Sequence, residues 1–396
     1  MPAARADGHA LTQQPDAGRS SPSPGSGYPL EPGSAEIGPA GLDILILARN
    51  EETILDRSLA CLQPMLEAND RLHVVADHCL DRTAEIAGRY GVEVHRRLTG
   101  TPGKGRALAW WLSRTQPSDG RGILVLDADS RVTRFGLAAV RRRLRLGQRA
   151  IQMRVAPLFH SSNPIASLAA LSDEVEQRVF EAVKHRLGWP IRLRGTGMAF
   201  ERNTLQGFAD RLQSTVEDAE LTLLLAADGV DIHPAPESTV FDPKPIDAMA
   251  ATRQRARWLQ GQLHLARIHP DALIRLVRRG PAGWSLLGSV LLKPRTLVLP
   301  IKLALAVIGL SLAATRPFSL ALLAPLAADL LALALGLAII GGHRRRHYLR
   351  ALTHAGAYFG MWTRSARLAF VSQDPWLRAR PSTVDGSMSE SSTAGV

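Results

Sequence analysis

From residue 42 onward, short apolar runs alternate with stretches whose apolar positions recur at helical spacing. The runs are LDILILA, RLHVVA, VEVHR, GILVLDA and AIQMRVA. Compact runs of this kind predict strands. The stretches between them predict helices reaching to about Leu66, to about Tyr90, onward from about Lys104, and to about Leu146. Strands alternating with helices imply a parallel sheet of βαβ units, in which ligands bind beyond the carboxyl ends of the strands. Residues 164–187 fit one amphipathic helix. A short strand, IRLRGTGMAF, follows, then a turn, a helix over about 217–228 and a basic helix over about 247–265.

The last third has a different texture. Leu297–Ala314 is 18 residues with one Lys and one Pro, and Phe318–Gly342 is longer, with one Asp and one Pro. Each approaches the length that crosses a hydrocarbon core roughly 30 Å thick. Only Thr315, Arg316 and Pro317 separate them, so a tight transmembrane hairpin is expected. Lys293 and Arg295 precede it and Arg344, Arg345 and Arg346 follow it, which puts both flanks on one side, the cytoplasmic one. The alternative is a buried helical hairpin, because both stretches are rich in Ala. Asp329 marks a polar pathway or a helix contact within the second stretch. Tyr348–Val371 mixes Arg with Trp, Tyr and Phe and suits a membrane interface, as does WSLLGSVLL before the hairpin. Residues 1–40 and 380–396 are rich in small and polar residues and read as disordered tails. The division expected is therefore a catalytic domain over 41–265, interfacial helices over 266–296, the two spans within 297–342 and a basic interfacial segment over 343–379.

Composition narrows the partners. The net charge is +12, and only five of the 48 basic residues are Lys. Arg in excess suits phosphate on a nucleotide, a nucleic acid or an anionic membrane. Cys61 and Cys79 have no paired spacing, so neither a disulfide framework nor a zinc site is expected, and a reducing compartment fits. No apolar run follows a basic start, so no secretory signal is expected.

Five segments carry candidate chemistry. In LDADS, Asp127 and Asp129 follow an apolar strand, where two carboxylates one residue apart either cap a helix or share Mg2+ or Mn2+ with a diphosphate. In VVADHCLDRT, Asp77 ends another strand and Asp81 reads as a cap for the next helix. In PGKGRALAW, Lys104 opens a helix between two glycines and suits phosphate, although the spacing is not that of a P-loop; Arg106 reads equally as a solvated residue. In STVEDAELTLLL, Glu217 and Asp218 start a helix, either as a capping pair or with Asp218 as a general base. In RQRARWLQGQ, Gln254, Arg257 and Trp258 share one helical face. Arg suits a diphosphate and Trp a sugar face or the core, while Arg253 and Arg255 read as a solvated or membrane-facing surface.

Taken in order, ARNEE, VADHCLD, GKGRAL, DAD, GTGM, VED and QRARW resemble the family 2 glycosyltransferases, most closely the membrane-integrated branch with cellulose, hyaluronan and poly-N-acetylglucosamine synthases. The resemblance covers about residues 42–265, and DPWLRAR resembles the WxRT-type ending of that branch. It implies the fold called GT-A, a Rossmann-related mixed α/β sheet flanked by helices, and inversion at the sugar carbon. By this resemblance Asp77 contacts the base, Asp127 and Asp129 the ribose–diphosphate and metal, and Asp218 is the catalytic base, with Glu217 beside it. Gln254, Arg257 and Trp258 match QxxRW, bordering acceptor and diphosphate. Gly195, Thr196 and Gly197, within Gly195–Met198, match the loop beneath the acceptor sugar, and Glu51 lies in the turn beside the nucleotide. The synthases of that branch usually have more membrane helices, some before the catalytic domain, so a long translocation channel in this chain is not expected.

The expectation is thus a membrane glycosyltransferase with its catalytic domain in the cytoplasm. It would take a nucleotide-sugar, UDP by family analogy, and act on a saccharide, lipid-linked or polyprenyl-phosphate acceptor among membrane lipids and other polysaccharide-synthesis proteins. A nucleotidyltransferase leaves QxxRW unexplained. A nucleic-acid binder lacks an aromatic-interleaved platform. A non-catalytic partner of another synthase has no need of all the acidic positions.

Overall fold

The computed structural model describes residues 41–115, 121–158, 163–245, 247–291 and 295–371. The expected tails and the DPWLRAR ending lie outside these residues. Eight strands form one sheet: β1 (Leu42–Ala48), β2 (Arg71–Asp77), β3 (Glu93–Arg97), β4 (Gly122–Leu126), β5 (Arg131–Val132), β6 (Ala150–Pro157), β7 (Met198–Glu201) and β8 (Ile232–Asp242). Their spatial order is β3-β2-β1-β4-β7-β6-β8-β5.

Apart from the edge strand β3, the apolar runs are buried on both faces, as continuous hydrophobic strands require. Along β1, Leu45 points into a core shared with helices Lys104–Arg114 and Glu217–Ala227, through Leu108, Trp111, Leu221 and Leu224. Ile44 and Ile46 point the other way, toward Leu59, Ile86, Leu137 and Val140 on helices Leu55–Leu62, Thr83–Gly88 and Arg134–Arg145.

The half from β1 to β4 is parallel, as predicted. The other half departs from the all-parallel sheet that the strand–helix alternation implied and makes the sheet mixed, as the resemblance implied. β7 runs antiparallel to both β4 and β6, and the short β5 runs antiparallel to β8. Within IRLRGTGMAF only the end pairs as a regular strand, because Gly195 and Gly197 both adopt positive φ (82° and 64°), which interrupts regular pairing there. Between the helix near 228 and the basic helix, where no element was expected, lies β8, parallel to β6, with a register break between Met153 and Arg154 where the chain passes Pro236. The expected helix over 164–187 is present but includes a π-helical turn, Glu176–Glu181.

The described residues from 295 to 371 are mainly helical. Of the two predicted spans, Pro317–Ile340 is, among the described residues, the one helix long and apolar enough to cross a membrane. The first stretch forms helix Arg295–Leu312 with Pro300 inside it, and its apolar part, Thr296–Leu312, is shorter. Asp329 is a helix contact, paired with Lys302. The Gly309 backbone lies against that of Ser319, whose hydroxyl donates to the Gly309 carbonyl. Helix Ala355–Val371 packs against helix Ala248–Ile268, which has a consequence for Arg255: it is buried and its guanidinium lies 5.7 Å from the Tyr358 ring and 5.1 Å from the Trp362 ring. The solvated surface expected of Arg255 is therefore corrected to a cation–π core, while Arg253 is exposed.

Candidate active site

The strand order reverses between β1 and β4, and the loops that follow these strands carry the acidic motifs. After β4 the DADS turn closes with the Ser130 amide donating to the Asp127 carbonyl (3.0 Å). Thr196 supports the turn from behind: its buried hydroxyl accepts from the Asp127 amide (3.1 Å) and bonds Ser130 Oγ (2.8 Å). Thr196 therefore faces the DADS turn and not open solvent.

Asp127 and Asp129 are joined by a carboxylate that sequence reasoning missed. Asp242, the last residue of β8, brings an oxygen within 4.8 Å of oxygens from both. Its register opposite Pro157 fixes it there. The local sequence signal was a short β-prone run, TVF, ending in Asp as LVLD does. Three carboxylate oxygens converging in this way fit a hard divalent cation such as Mg2+ or Mn2+. Burial pushes the Asp242 carboxyl up from its ordinary range and Asp127 adds to this, against the nearby Lys244. Lys244 bridges Asp242 (3.2 Å) and Asp173 (2.8 Å).

One ammonium ties the separate motifs together. Lys104 Nζ donates to Asp127 Oδ1 (2.6 Å) and to the Gly195 carbonyl (2.6 Å), and lies 3.0 Å from Glu217 Oε1. All three of its protons have partners among protein groups, two of them carboxylates. Burial works against its charge, but Asp127 and Glu217 prevail and hold it protonated far above the usual lysine range. Burial raises the Glu217 carboxyl; Lys104 opposes the rise, and Asp218 and Asp127 reinforce it.

Glu217 and Asp218 do not cap their helix, since no side chain caps it at Val216. Glu220 instead reaches back to the amides of Gln213 (3.0 Å) and Ser214 (2.9 Å). That leaves Asp218 half-buried beside the GTG loop; a methyl group added at Gly195 would lie 3.9 Å from Asp218 Oδ2 and 3.8 Å from Lys104 Nζ. Gly197 is a packing glycine, where an added methyl would meet Val240 at 2.6 Å and Met153 at 2.9 Å.

At the end of β2, Asp77 is buried and engaged by protein groups. It pairs with Arg97, bonds His78 Nδ1 (2.9 Å) and accepts from the Gly103 amide (2.8 Å). Asp81 accepts from the amides of Thr83 (3.0 Å) and Glu52 (3.1 Å) and so locks the two turns together; it is not the expected N-cap, since Arg82 holds that position in helix Thr83–Gly88. Glu51 lies in this junction, its amide donating to Thr83 Oγ1 (2.8 Å).

The face of QxxRW approaches from helix Ala248–Ile268. Arg257 donates to the Thr215 carbonyl (3.1 Å) just before Glu217. Gly261 allows this approach, for an added methyl would sit 2.6 Å from Val216. Gln254 is half-buried, and Trp258 is 38% exposed, which excludes the core alternative for it.

Comparison with known proteins finds glycosyltransferases. The probable glycosyltransferase YdaM of Bacillus subtilis is 24% identical over 237 residues, which are 57% of this chain and 56% of that one. The beta-monoglucosyldiacylglycerol synthase of a Nostoc species is 30% identical over 235 residues, 56% of this chain and 48% of that one. The chain thus matches about half the length of these curated relatives. Among solved structures, a mannosyltransferase from Pyrobaculum calidifontis in complex with GDP-Man and Mn2+ shares the fold, at 18% identity and a TM-score of 0.50 over 87% of this chain and 92% of that one. Residues 122–340, more than half of the chain, match the profile of Glycosyl transferase family group 2, and the chain belongs to that family.

Proposed function

We propose that this chain is an inverting, metal-dependent glycosyltransferase that moves a sugar from a nucleotide-sugar, UDP-linked by family analogy, to an acceptor held at a membrane. The observation that carries the reading is the convergence on Lys104 of Asp127, Glu217 and Gly195, with Asp218 beside the glycine and Asp129 and Asp242 beside Asp127. Asp218 takes the proton of the acceptor hydroxyl as its oxygen bonds to the anomeric carbon and the bond to the diphosphate breaks. A divalent cation bound by Asp127, Asp129 and Asp242 would offset the charge that develops on the departing diphosphate. Arg257 borders that diphosphate and Trp258 offers a face to the acceptor. Gly195 and Gly197 shape the floor of the acceptor site, and Glu51 and Asp77 lie on the nucleotide side.

A membrane acceptor, saccharide or lipid-linked, is supported by the exposed apolar helix Pro317–Ile340. The glycolipid named for the Nostoc relative supports the lipid-linked alternative, of which polyprenyl-phosphate is one form. In this reading residues 41–265 are a cytoplasmic catalytic domain and 297–342 anchor it as a hairpin in the plasma membrane, with basic interfacial helices on either side. The further assignment to the polysaccharide-synthase branch and exopolysaccharide synthesis rests on the order of motifs.

The test is Asp218→Asn in membranes supplied with donor and Mn2+. Transfer should fall by about 10²- to 10⁴-fold while donor binding is retained. Transfer near the wild-type rate would remove Asp218 as the base.

A further inference from the structure

Away from the carboxylate site, at the sheet edge, two histidines and a glutamate face one another. β2 and β3 pair in parallel with His73 opposite Glu93 and Val75 opposite His95, which puts all three side chains on one face. His73 Nδ1 lies 3.2 Å from His95 Nε2 and 3.3 Å from Glu93 Oε2, and His95 Nε2 lies 4.0 Å from the same oxygen. Tetrahedral zinc with bonds of about 2.0–2.2 Å sets its ligands about 3.3–3.5 Å apart, so the three atoms sit near the corners such an ion requires.

We infer that His73, Glu93 and His95 form a zinc site that fastens the edge strand β3 to the sheet. The surroundings favour metal ligation. His73 is buried edge-on to Trp111, with ring centroids 5.0 Å apart, and its other nitrogen faces Asp43 Oδ1 at 3.5 Å. Asp43 is itself held by Arg202. A carboxylate behind a histidine keeps the proton on the far nitrogen and turns the lone pair of Nδ1 toward the metal. Glu93 is half exposed, so its carboxylate can adjust to an ion, and a water from that side would supply the fourth ligand. Imidazole nitrogens select zinc over the hard cations suited to Asp127, Asp129 and Asp242. The cysteines gave no hint of zinc, because this site uses none of them and its ligands meet only through strand pairing across 20 residues.

The alternative is a plain hydrogen-bonded trio in which one nitrogen donates to the other. To separate them, chelator-treated protein is loaded with Zn2+ in excess Mg2+, which occupies the carboxylate site, then desalted and assayed for bound zinc. One Zn2+ per chain should remain in the wild type and none in His95→Gln. Glu93→Gln, at an exposed position that does not endanger folding, should weaken zinc binding by about tenfold or more. Co2+ loaded in place of zinc should give the visible band of a tetrahedral ion, absent from His95→Gln. No zinc in the wild type, or equal retention in the wild type and both variants, overturns the assignment.

Discussion

Two halves of one sheet end in aspartates, and the halves treat them differently. In the parallel half, Asp77 closes β2 with Arg97, His78 and Gly103 around it, and its charge is balanced by the protein. In the mixed half, Asp127, Asp129 and Asp242 turn toward one another, with Lys104 and Lys244 at the rim of the cluster. The same residue type at the same kind of position locks a turn in one half and gathers negative charge in the other. What decides is the neighbour. β3 supplies Arg97 to Asp77, whereas β8 supplies a further carboxylate to Asp127 and Asp129.

Substitutions can break this contrast or sharpen it. The largest effect on stability is expected from Asp77→Asn, which leaves Arg97 buried without its carboxylate. Chemical denaturation should show a loss of about 3 kcal/mol or more, while Mn2+ affinity stays as in the wild type. A loss of metal binding in that variant would erase the distinction between the halves. Gly197→Ala comes next. Its methyl group would press on Val240 and Met153, on the two strands that present Asp242, and add strain at a positive φ. A cost of about 1–3 kcal/mol is expected, read as a lowered denaturation midpoint, together with weakened metal binding. Trp258→Ala touches neither half. It should change stability by no more than about 0.5 kcal/mol and raise the acceptor KM severalfold at an unchanged donor KM.

How much of this the sequence disclosed differs in the same way. The parallel half was readable because each strand is a short apolar run followed by a helix, and its motifs sit at the ends of those runs. Asp127 and Asp129 stood out because they follow β4, the strand where that half meets the mixed one, and Asp218 because a helix opens at VED. β8 was not, because Pro234 and Pro236 interrupt it and its pairing with β6 is set by contacts some 80 residues apart in the chain. Asp242 went unseen with it. Arg255 was misplaced on the surface because its partners, Tyr358 and Trp362, are brought by a helix about 100 residues later. Lys104 stood out in PGKG, but nothing local to that segment indicates that its three protons go to Asp127, Gly195 and Glu217.

The central claim is that Asp242 completes a cation site with Asp127 and Asp129. The direct measurement is a Mn2+ titration followed by electron paramagnetic resonance in the wild type, Asp242→Asn and Asp77→Asn. The site described here predicts that Asp242→Asn weakens Mn2+ by about tenfold or more and that Asp77→Asn leaves it unchanged. Wild-type Mn2+ affinity in Asp242→Asn would contradict it.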